Sequence, residues 1–518
     1  MTVKRELMVS RVASARIVLS ILSLILAVTG CAVTSTKHAS TTQRPSRDAS
    51  TRSPSEPPAA SPPAQGARPN ILLLMTDDEA LNDMVVMPKT RRLIGATGAT
   101  FKQAVSSYPL CCPARTTVLT GLQAHNHGVM GNEPPWGGYT FFKDEAQTIA
   151  VWLQRAGYST TLLGKYLNGY PRPGQERYVP PGWTNWFVPV KGTYQYDHFT
   201  INENGQFRRY REYQSRYIAD RASSLISQLS GSGRPFFLWA NFLAPHIGGP
   251  VEADDPNAHD PNGLPTPAVE SRYRNSLSSR RLPSDPAINE ADLRDKDKFM
   301  RRLRRVPISQ LTEFYQQRLE SLRSVDDAVG RILATLRRTH ALQNTVVMFV
   351  SDNGNAIGQH RWVKKMLGYE DSIRIPFLMR GPGITPGAEV NQQVSLADLS
   401  ATIVSLARAR ASHPLDGVSV MPMLTDPSYL ADRPMLLEAG GWPFPRQKRL
   451  YTGVRTSDGK VLLHWYDGTR ELYDLRTDPF ELNGRPPATE AELVRRLDHE
   501  RSRLATCRGQ GCNSTTSP

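Results

Sequence analysis

Two uninterrupted apolar runs constrain the fold of this chain more than any other feature. Asn70-Ile-Leu-Leu-Leu-Met75 ends in Thr76-Asp77-Asp78, and Asn344 to Val350 ends in Ser351-Asp352-Asn353-Gly354. A strand without apolar/polar alternation is buried on both faces, which requires a sheet interior covered by helices on either side. Between and around these runs, helical and strand patterns alternate. Ala146 to Ala156 reads as a helix closed by Gly157, and Ser159 to Leu163 as a strand ending at Gly164-Lys165. Tyr217 to Leu229 reads as an amphipathic helix, Pro235 to Phe242 as a strand, and Leu311 to Thr339 as a long helix. The pattern predicts an α/β fold around a mainly parallel sheet. After Trp442 the period changes. Leu450 to Arg455, Lys460 to Tyr466 and Arg470 to Leu475 alternate like short antiparallel strands, followed by a helix over Glu490 to Leu504.

Ligands of open α/β sheets sit beyond the carboxyl ends of the strands, so the polar residues closing the two runs should meet in one crevice. Asp77, Asp78, Asp352 and Asn353 carry hard oxygen donors suited to Ca²⁺ or Mg²⁺, with no accompanying Cys or His to favour zinc. An Asp-Asp pair after a strand also serves as a helix cap or turn, so spacing alone leaves its role open.

Composition narrows the class. With 37 Gly, 40 Pro and five Cys among 518 residues, collagen-like and disulfide-scaffold chains are excluded. The net charge of +15 comes from dispersed basic residues, with short runs such as Arg301-Arg302 and Arg304-Arg305 but no basic stripe interleaved with aromatics, so no nucleic-acid partner is expected. The charge reads either as compositional bias or as a field attracting an anionic substrate.

The first residues read as an address. Lys4, Arg5 and Arg11 precede the apolar stretch Ile17 to Val28, and Val28-Thr-Gly-Cys31 resembles a bacterial lipobox in which Cys31 carries lipid. That makes 1–31 a signal segment and implies an exported cell-envelope lipoprotein held at the outer face of the membrane. Residues 32–68, rich in Ser, Thr and Pro, form a tether unable to build a core. Cys507 and Cys512 fit a short disulfide loop in an oxidising compartment. Cys111 and Cys112 are adjacent, which makes a mutual bridge strained.

Cys111-Cys-Pro-Ala-Arg115-Thr-Thr-Val-Leu-Thr-Gly121 resembles the signature of the type I sulfatases, in which the first Cys becomes formylglycine. Arg68 to Asp78 resembles the family's opening strand and first metal pair, and Ser351 to Gly354 its second pair. Gly164-Lys-Tyr-Leu-Asn168 is similar to the segment supplying an active-site lysine, in the form seen in N-acetylglucosamine-6-sulfatases. Ala244-Pro-His246 matches the sulfate-facing histidine, although Gly248 replaces the usual Pro, and Lys365 with Tyr369-Glu370 matches a later catalytic lysine. Ser324 to Asp327, Arg380 to Gly383, Asp416-Gly417 and Glu471 to Leu475 match scaffold positions.

The resemblance implies an alkaline-phosphatase-like sandwich over 69–441, a small C-terminal antiparallel-sheet subdomain over 442–506, and a tail over 507–518. It implies Asp77, Asp78, Asp352 and Asn353 as ligands of Ca²⁺ or Mg²⁺, and Lys165, His246 and Lys365 as holders of the sulfate, with Arg115 orienting the nucleophile. A hydrated aldehyde at position 111 offers two hydroxyls on one carbon, one to attack sulfur and one to expel sulfate afterwards. The implied activity is hydrolysis of a sulfate ester, on a carbohydrate of N-acetylglucosamine 6-sulfate type or on an aryl sulfate, after action of a formylglycine-generating maturation enzyme. The alternatives are a phosphonate monoester or phosphodiester hydrolase on the same fold, and a catalytically idle lipoprotein that binds sulfated glycans. His125, His127 and His360 stay outside the expected core site, Cys112 is expected to pack as a small apolar residue, and the irregular stretch 249–306 is expected to cover the mouth.

Overall fold

A computed structural model of the chain describes residues 68–441 and 449–514. The expected signal segment with Cys31, and all but the last residue of the expected tether, lie outside the described residues.

In chain order the strands are β1 (Asn70–Thr76), β2 (Ala99–Val105), β3 (Ser159–Gly164), β4 (Asn185–Lys191), β5 (Phe199–Glu203), β6 (Gln206–Tyr210), β7 (Phe236–Asn241) and β8 (Thr345–Ser351). They continue as β9 (Ala356–Ile357), β10 (Val363–Lys364), β11 (Phe377–Arg380), β12 (Ala388–Ser395), β13 (Met435–Ala439), β14 (Tyr451–Arg455), β15 (Lys460–Trp465) and β16 (Arg470–Asp474). Ten of these form one sheet in the order β12-β2-β11-β8-β1-β7-β3-β4-β5-β6. The centre, β8-β1-β7-β3-β4, is parallel, as expected from the apolar runs. Antiparallel pairing enters where β11 lies between β8 and β2, and at the β4-β5-β6 edge.

The alternating side chains of β1 feed two cores. Ile71, Leu73 and Met75 pack with Val118, Trp152 and Ile403 from the helices Cys111–Thr120, Ile149–Arg155 and Leu396–Leu406. Leu72 and Leu74 pack with Ile218, Leu322 and Val329 from the helices Gln214–Ser230 and Ile308–Arg338. Each fully buried aliphatic side chain contributes about 1.5–3 kcal/mol of transfer free energy, and truncating Leu73 to Ala would cost about 2–5 kcal/mol. Both faces of the sheet are therefore closed to water, and the strand ends are left to carry chemistry.

Register delivers those ends together. Thr76 pairs with Ser351, Met75 with Asn241, and Asn241 with Gly164, so the segments after β1, β8, β7 and β3 leave the sheet at one level. Gly164 has φ +90°, and a Cβ there would lie 2.0 Å from the Asn241 carbonyl oxygen, so only glycine permits this approach.

The C-terminal sheet runs β13-β14-β15-β16, all antiparallel. Its first strand, Met435–Ala439, precedes residue 442 and pairs antiparallel with β14. One face packs under the helix Ala491–Leu504, and the other packs Leu437, Tyr451, Leu463 and Trp465 against Tyr108, Leu110 and Met366. The tail closes through a Cys507–Cys512 disulfide.

Candidate active site

The helix Cys111–Thr120 starts where the extended Leu110 turns in, which makes Cys111 its first residue and sets the side chain at the positive end of the helix dipole. Arg115 follows one turn later on the same face. Gly121 ends the helix at φ 69°, its N–H bonded to the Thr117 carbonyl at 2.7 Å.

Around this helix start, the strand-end residues converge. Cys111 Sγ lies 2.8 Å from Lys365 Nζ and 3.2 Å from Asp77 Oδ1. Lys165 Nζ is bonded to Asp77, and Lys365 Nζ to Asp78. Asn353 Nδ2 donates to Asp78 Oδ1 at 2.8 Å, and Asp352 Oδ1 accepts from the Asp78 N–H at 3.1 Å. Arg115 donates from Nε to Asp352 Oδ2 at 2.8 Å, and from Nη1 to Asn241 Oδ1 at 2.8 Å and the Lys165 carbonyl at 3.0 Å. Its role in the structure is thus to brace the strand ends from beneath. His246 Nδ1 lies 2.6 Å from the Ile247 carbonyl, which can only accept, so Nε2 faces Asp78 Oδ2 at 3.8 Å as the second nitrogen.

Asp78 has φ 71°, a left-handed conformation costly for a non-glycine residue. Its N–H is held by Asp352, and its carbonyl accepts from Arg318 Nη2 at 2.6 Å, so the flanking partners stabilise the strained peptide.

The charges balance in a dry environment. Burial opposes ionisation of Asp77, but Lys165, His246 and Arg115 outweigh it; Lys365 and His246 do the same for Asp78, and both carboxyls fall below their usual range. Asp352 goes the other way, to about 6, because burial and the Asp77 charge exceed the effect of Arg115. Burial, then the same Asp77 charge, raises the Cys111 thiol well above its ordinary value. An unmodified thiol here is protonated at neutral pH and is a poor nucleophile. Burial also lowers His246 to about 4, leaving the imidazole neutral.

The oxygens of Asp77, Asp78 and Asn353 suit a hard cation, but the structure brings Cys111 and His246 beside them, contrary to the expectation that no Cys or His accompanies the carboxylates. Ligand atoms of Asp77, Asp78, Cys111 and His246 lie within 4.8 Å of one another. Asn353 Oδ1 is buried with no hydrogen-bond partner, an orphaned oxygen of the kind a cation satisfies. Asp352 lies outside that close set, its oxygens engaged by Arg115 and the Asp78 N–H, each retaining a lone pair.

Above the cluster opens a cleft of about 510 Å³ with Asp78, His246 and Lys365 at its base and Leu110, Trp136, Ile247 and Phe314 on its walls. Leu264 and Pro265 bring the irregular stretch 249–306 to the cleft wall, as expected of a covering segment.

The other histidines are structural. His125 bonds Glu438 and the Cys507 carbonyl, His127 bonds Thr117 Oγ1 and the Val129 N–H, and His360 pairs with Glu290 at 2.6 Å. Cys112 is fully buried in the apolar core. Two further residues join the site without a motif to mark them: Asn241, which receives Arg115, and Tyr194, whose ring stacks on His246 at 4.8 Å and lies 4.9 Å from Lys165 Nζ. Tyr194 sits in a loop after β4 with no motif around it, so no local signal marks it.

The family model described as Sulfatase matches residues 69–409, two-thirds of the chain and all four strand ends of the site. The chain belongs to the sulfatase family. Its members are sulfuric ester hydrolases. The C-terminal model of N-sulphoglucosamine sulphohydrolase matches residues 358–506 of this sulfatase. Human N-acetylglucosamine-6-sulfatase is 29% identical over 86% of this chain and 86% of its own length. An extracellular sulfatase homologue of Caenorhabditis elegans is 33% identical over 68% of this chain; the match spans about half, 49%, of that relative's length. Among solved structures, one bound to its substrate D-glucosamine-2-N,6-O-disulfate shares the fold with a TM-score of 0.69 at 22% identity, covering 85% of this chain and 97% of its own. The phosphonate monoester hydrolase of Agrobacterium radiobacter shares it with a TM-score of 0.59 at 19% identity, covering 86% and 96%.

Proposed function

We propose that this sulfatase is an exported, lipid-anchored enzyme that removes a sulfate ester from an amino sugar, using a formylglycine at position 111 and a divalent cation, Ca²⁺ or Mg²⁺. The observation that carries the reading is Cys111 at a helix start, buried between Asp77 and Lys365, with Lys365 and Asp78 lining the cleft. The relatives named for N-acetylglucosamine-6-sulfate chemistry support the substrate class.

Asp77, Asp78, Asp352 and Asn353 would hold the cation, which supplies polarisation of the sulfate oxygens and eases ionisation of the attacking hydroxyl. The aldehyde at 111, once hydrated, supplies that hydroxyl and a second one for release of sulfate. Lys165 and Lys365 bring positive charge to the transferring group, where negative charge grows in the transition state. His246, neutral and with its proton on Nδ1, turns an Nε2 lone pair toward the base of the cleft as an acceptor, and an ammonium of Lys165 or Lys365 would give the departing sugar oxygen its proton. Arg115 keeps Asp352, Asn241 and the Lys165 carbonyl in register and so orients the pieces without needing to move. The apolar walls exclude water and strengthen each of these interactions.

Mass spectrometry of the Cys111 peptide from the native membrane fraction tests the nucleophile. Formylglycine lowers its mass by roughly 18 Da relative to the thiol. Turnover of an aryl sulfate in preference to an aryl phosphate diester is the expected specificity. Preference for the diester would favour the phosphonate or phosphodiester reading, since the fold is common to both activities. Retention on sulfated glycan with no turnover of matured protein would favour the idle binder. Loss of membrane association in Cys31→Ala is expected of the lipid anchor.

A further inference from the structure

The function so far leaves unused the most concentrated exposed charge on the described surface. Arg301, Arg302, Arg304 and Arg305 are four arginines within five residues, all exposed. Among the described residues none of the four side chains has an ion-pair or hydrogen-bond partner. Some exposed arginines elsewhere are matched, Arg294 with Asp292 at 2.6 Å, Arg495 with Glu492 at 2.7 Å and Arg272 with Asp327 at 2.8 Å, and others such as Arg91 and Arg496 are not; what sets 301–305 apart is four unpaired guanidinium groups within five residues.

Their placement follows from the residues between and around them. Met300 is fully buried in the cluster that contains Leu110 and Met366, both cleft-lining residues, and Phe299 and Leu303 pack against it. The Phe299 ring meets Trp362 edge-on at 5.5 Å, and the Trp362 indole N–H donates to the Lys365 carbonyl at 2.9 Å. Arg361 Nη1 donates to the Leu303 carbonyl at 3.1 Å, and the Val306 N–H donates to Asn289 Oδ1 at 2.9 Å. Just beyond, Gln310 Oε1 accepts the N–H of Leu264, on the cleft wall, at 3.2 Å. The segment is thus pinned at one end to the lysine-bearing β9–β10 hairpin and at the other to the covering loop. Its apolar residues face in, toward the cluster that also holds the cleft-lining Leu110 and Met366, and its arginines face solvent.

We propose that this arginine rim is a second binding surface, which takes the neighbouring anionic units of a polymeric, multiply sulfated glycan while one sulfated residue occupies the cleft. The proposal rests on the sulfate-ester reading of the cleft and extends it from a monosaccharide or aryl ester to a chain. Guanidinium groups pair with sulfate and carboxylate oxygens in a bidentate fork, and an unpaired row of them attracts a polyanion over a Debye length. A single small ester in the cleft would not reach them.

The test uses the full chain with all four arginines changed to Gln, its fold checked by thermal unfolding. In a Cys111→Ala background, where turnover plays no part, retention on immobilised heparin is read against salt. The four changes are expected to bring elution to clearly lower salt. In the matured enzyme, KM for a long sulfated oligosaccharide should rise roughly tenfold, the scale of several exposed ion pairs acting together, with kcat/KM for an aryl sulfate held within about twofold. Unchanged elution would overturn the proposal. So would an equal loss on the aryl sulfate, which would place the effect in the cleft. Single-stranded DNA retained as strongly, and lost as fully, would overturn the glycan as the partner. Failure of the wild-type enzyme to release sulfate from either substrate would instead strike the sulfatase reading, whatever the column shows.

Discussion

At the residue scale, the adjacent cysteines divide sharply. Cys111 faces the carboxylates and Lys365, whereas Cys112 is buried in the core with its N–H bonded to Asn132 Oδ1 at 2.9 Å. Cys111→Ala is expected to lower kcat by roughly 10⁴-fold or more, and Cys112→Ala to cost about 1 kcal/mol of stability with activity retained. Equal loss of activity in both, at equal folding, would sink the assignment. Tyr194 is the other residue whose replacement is informative. Its ring touches both His246 and Lys165, which come from different strand ends, and its hydroxyl accepts from Asn168 Nδ2 at 2.6 Å. Tyr194→Phe keeps the ring and should stay within a few-fold of wild type, whereas Tyr194→Leu should lose roughly 10- to 100-fold in kcat. A Phe variant as impaired as Leu would show that the hydroxyl, not the ring, positions the two groups.

At the element scale, the join between the C-terminal sheet and the catalytic loops depends on Glu471 of β16. Its carboxyl accepts from the Asp297 N–H at 2.6 Å and from the hydroxyls of Tyr369 at 2.8 Å and Tyr473 at 3.1 Å. Burial exceeds the effect of these donors and pushes the group up from 4.5 to about 7. A carboxyl with a raised folded-state pKa holds its proton longer in the folded chain. Its contribution to stability is therefore complete below about pH 4.5 and is lost as pH rises through 7. Glu471→Gln is expected to flatten the fall in unfolding free energy between pH 5 and 8, by on the order of 3 kcal/mol, measured by denaturant titration across that window. An unchanged slope would show that Glu471 is not a group that titrates there.

At the scale of the whole molecule, one cluster ties residues from the first strand to a hairpin nearly 290 positions later. Asp77 pairs with Lys165 and Asp78 with Lys365, so the carboxylates of the first strand end meet lysines from two other segments of the chain. On the proposed ligand set at the ends of β1 and β8, cation binding should stabilise the folded state by about 2.7 kcal/mol at a concentration of 100 Kd. A thermal-unfolding series in Ca²⁺ checks this, with Asp77→Asn expected to abolish the shift. A shift of the same size in that variant would place the cation elsewhere.

What the sequence determined by itself is what local pattern records. Burial on both faces shows in a run such as Ile71 to Met75, and the spacing of Cys111, Pro113 and Arg115 is carried in five residues, so the α/β class, the central strands and the sulfatase-like motif were legible. The helices at 214–230 and 308–338 were legible for the same reason, their apolar stripes being local. Tertiary structure alone decided which distant residues touch. The antiparallel insertion of β11, the capture of Arg115 by Asn241, the clamp of Tyr194 and the bracing of Asp78 by Arg318 join segments from roughly 30 to 240 residues apart. The same holds for the arginines at 301–305. In the sequence they are a short basic run among many, and only the packing of Phe299, Met300 and Leu303 into the cluster shared with the cleft-lining Leu110 and Met366 turns them out to solvent. Such contacts follow from sheet register and the packing of many side chains at once, and no single stretch of chain encodes them.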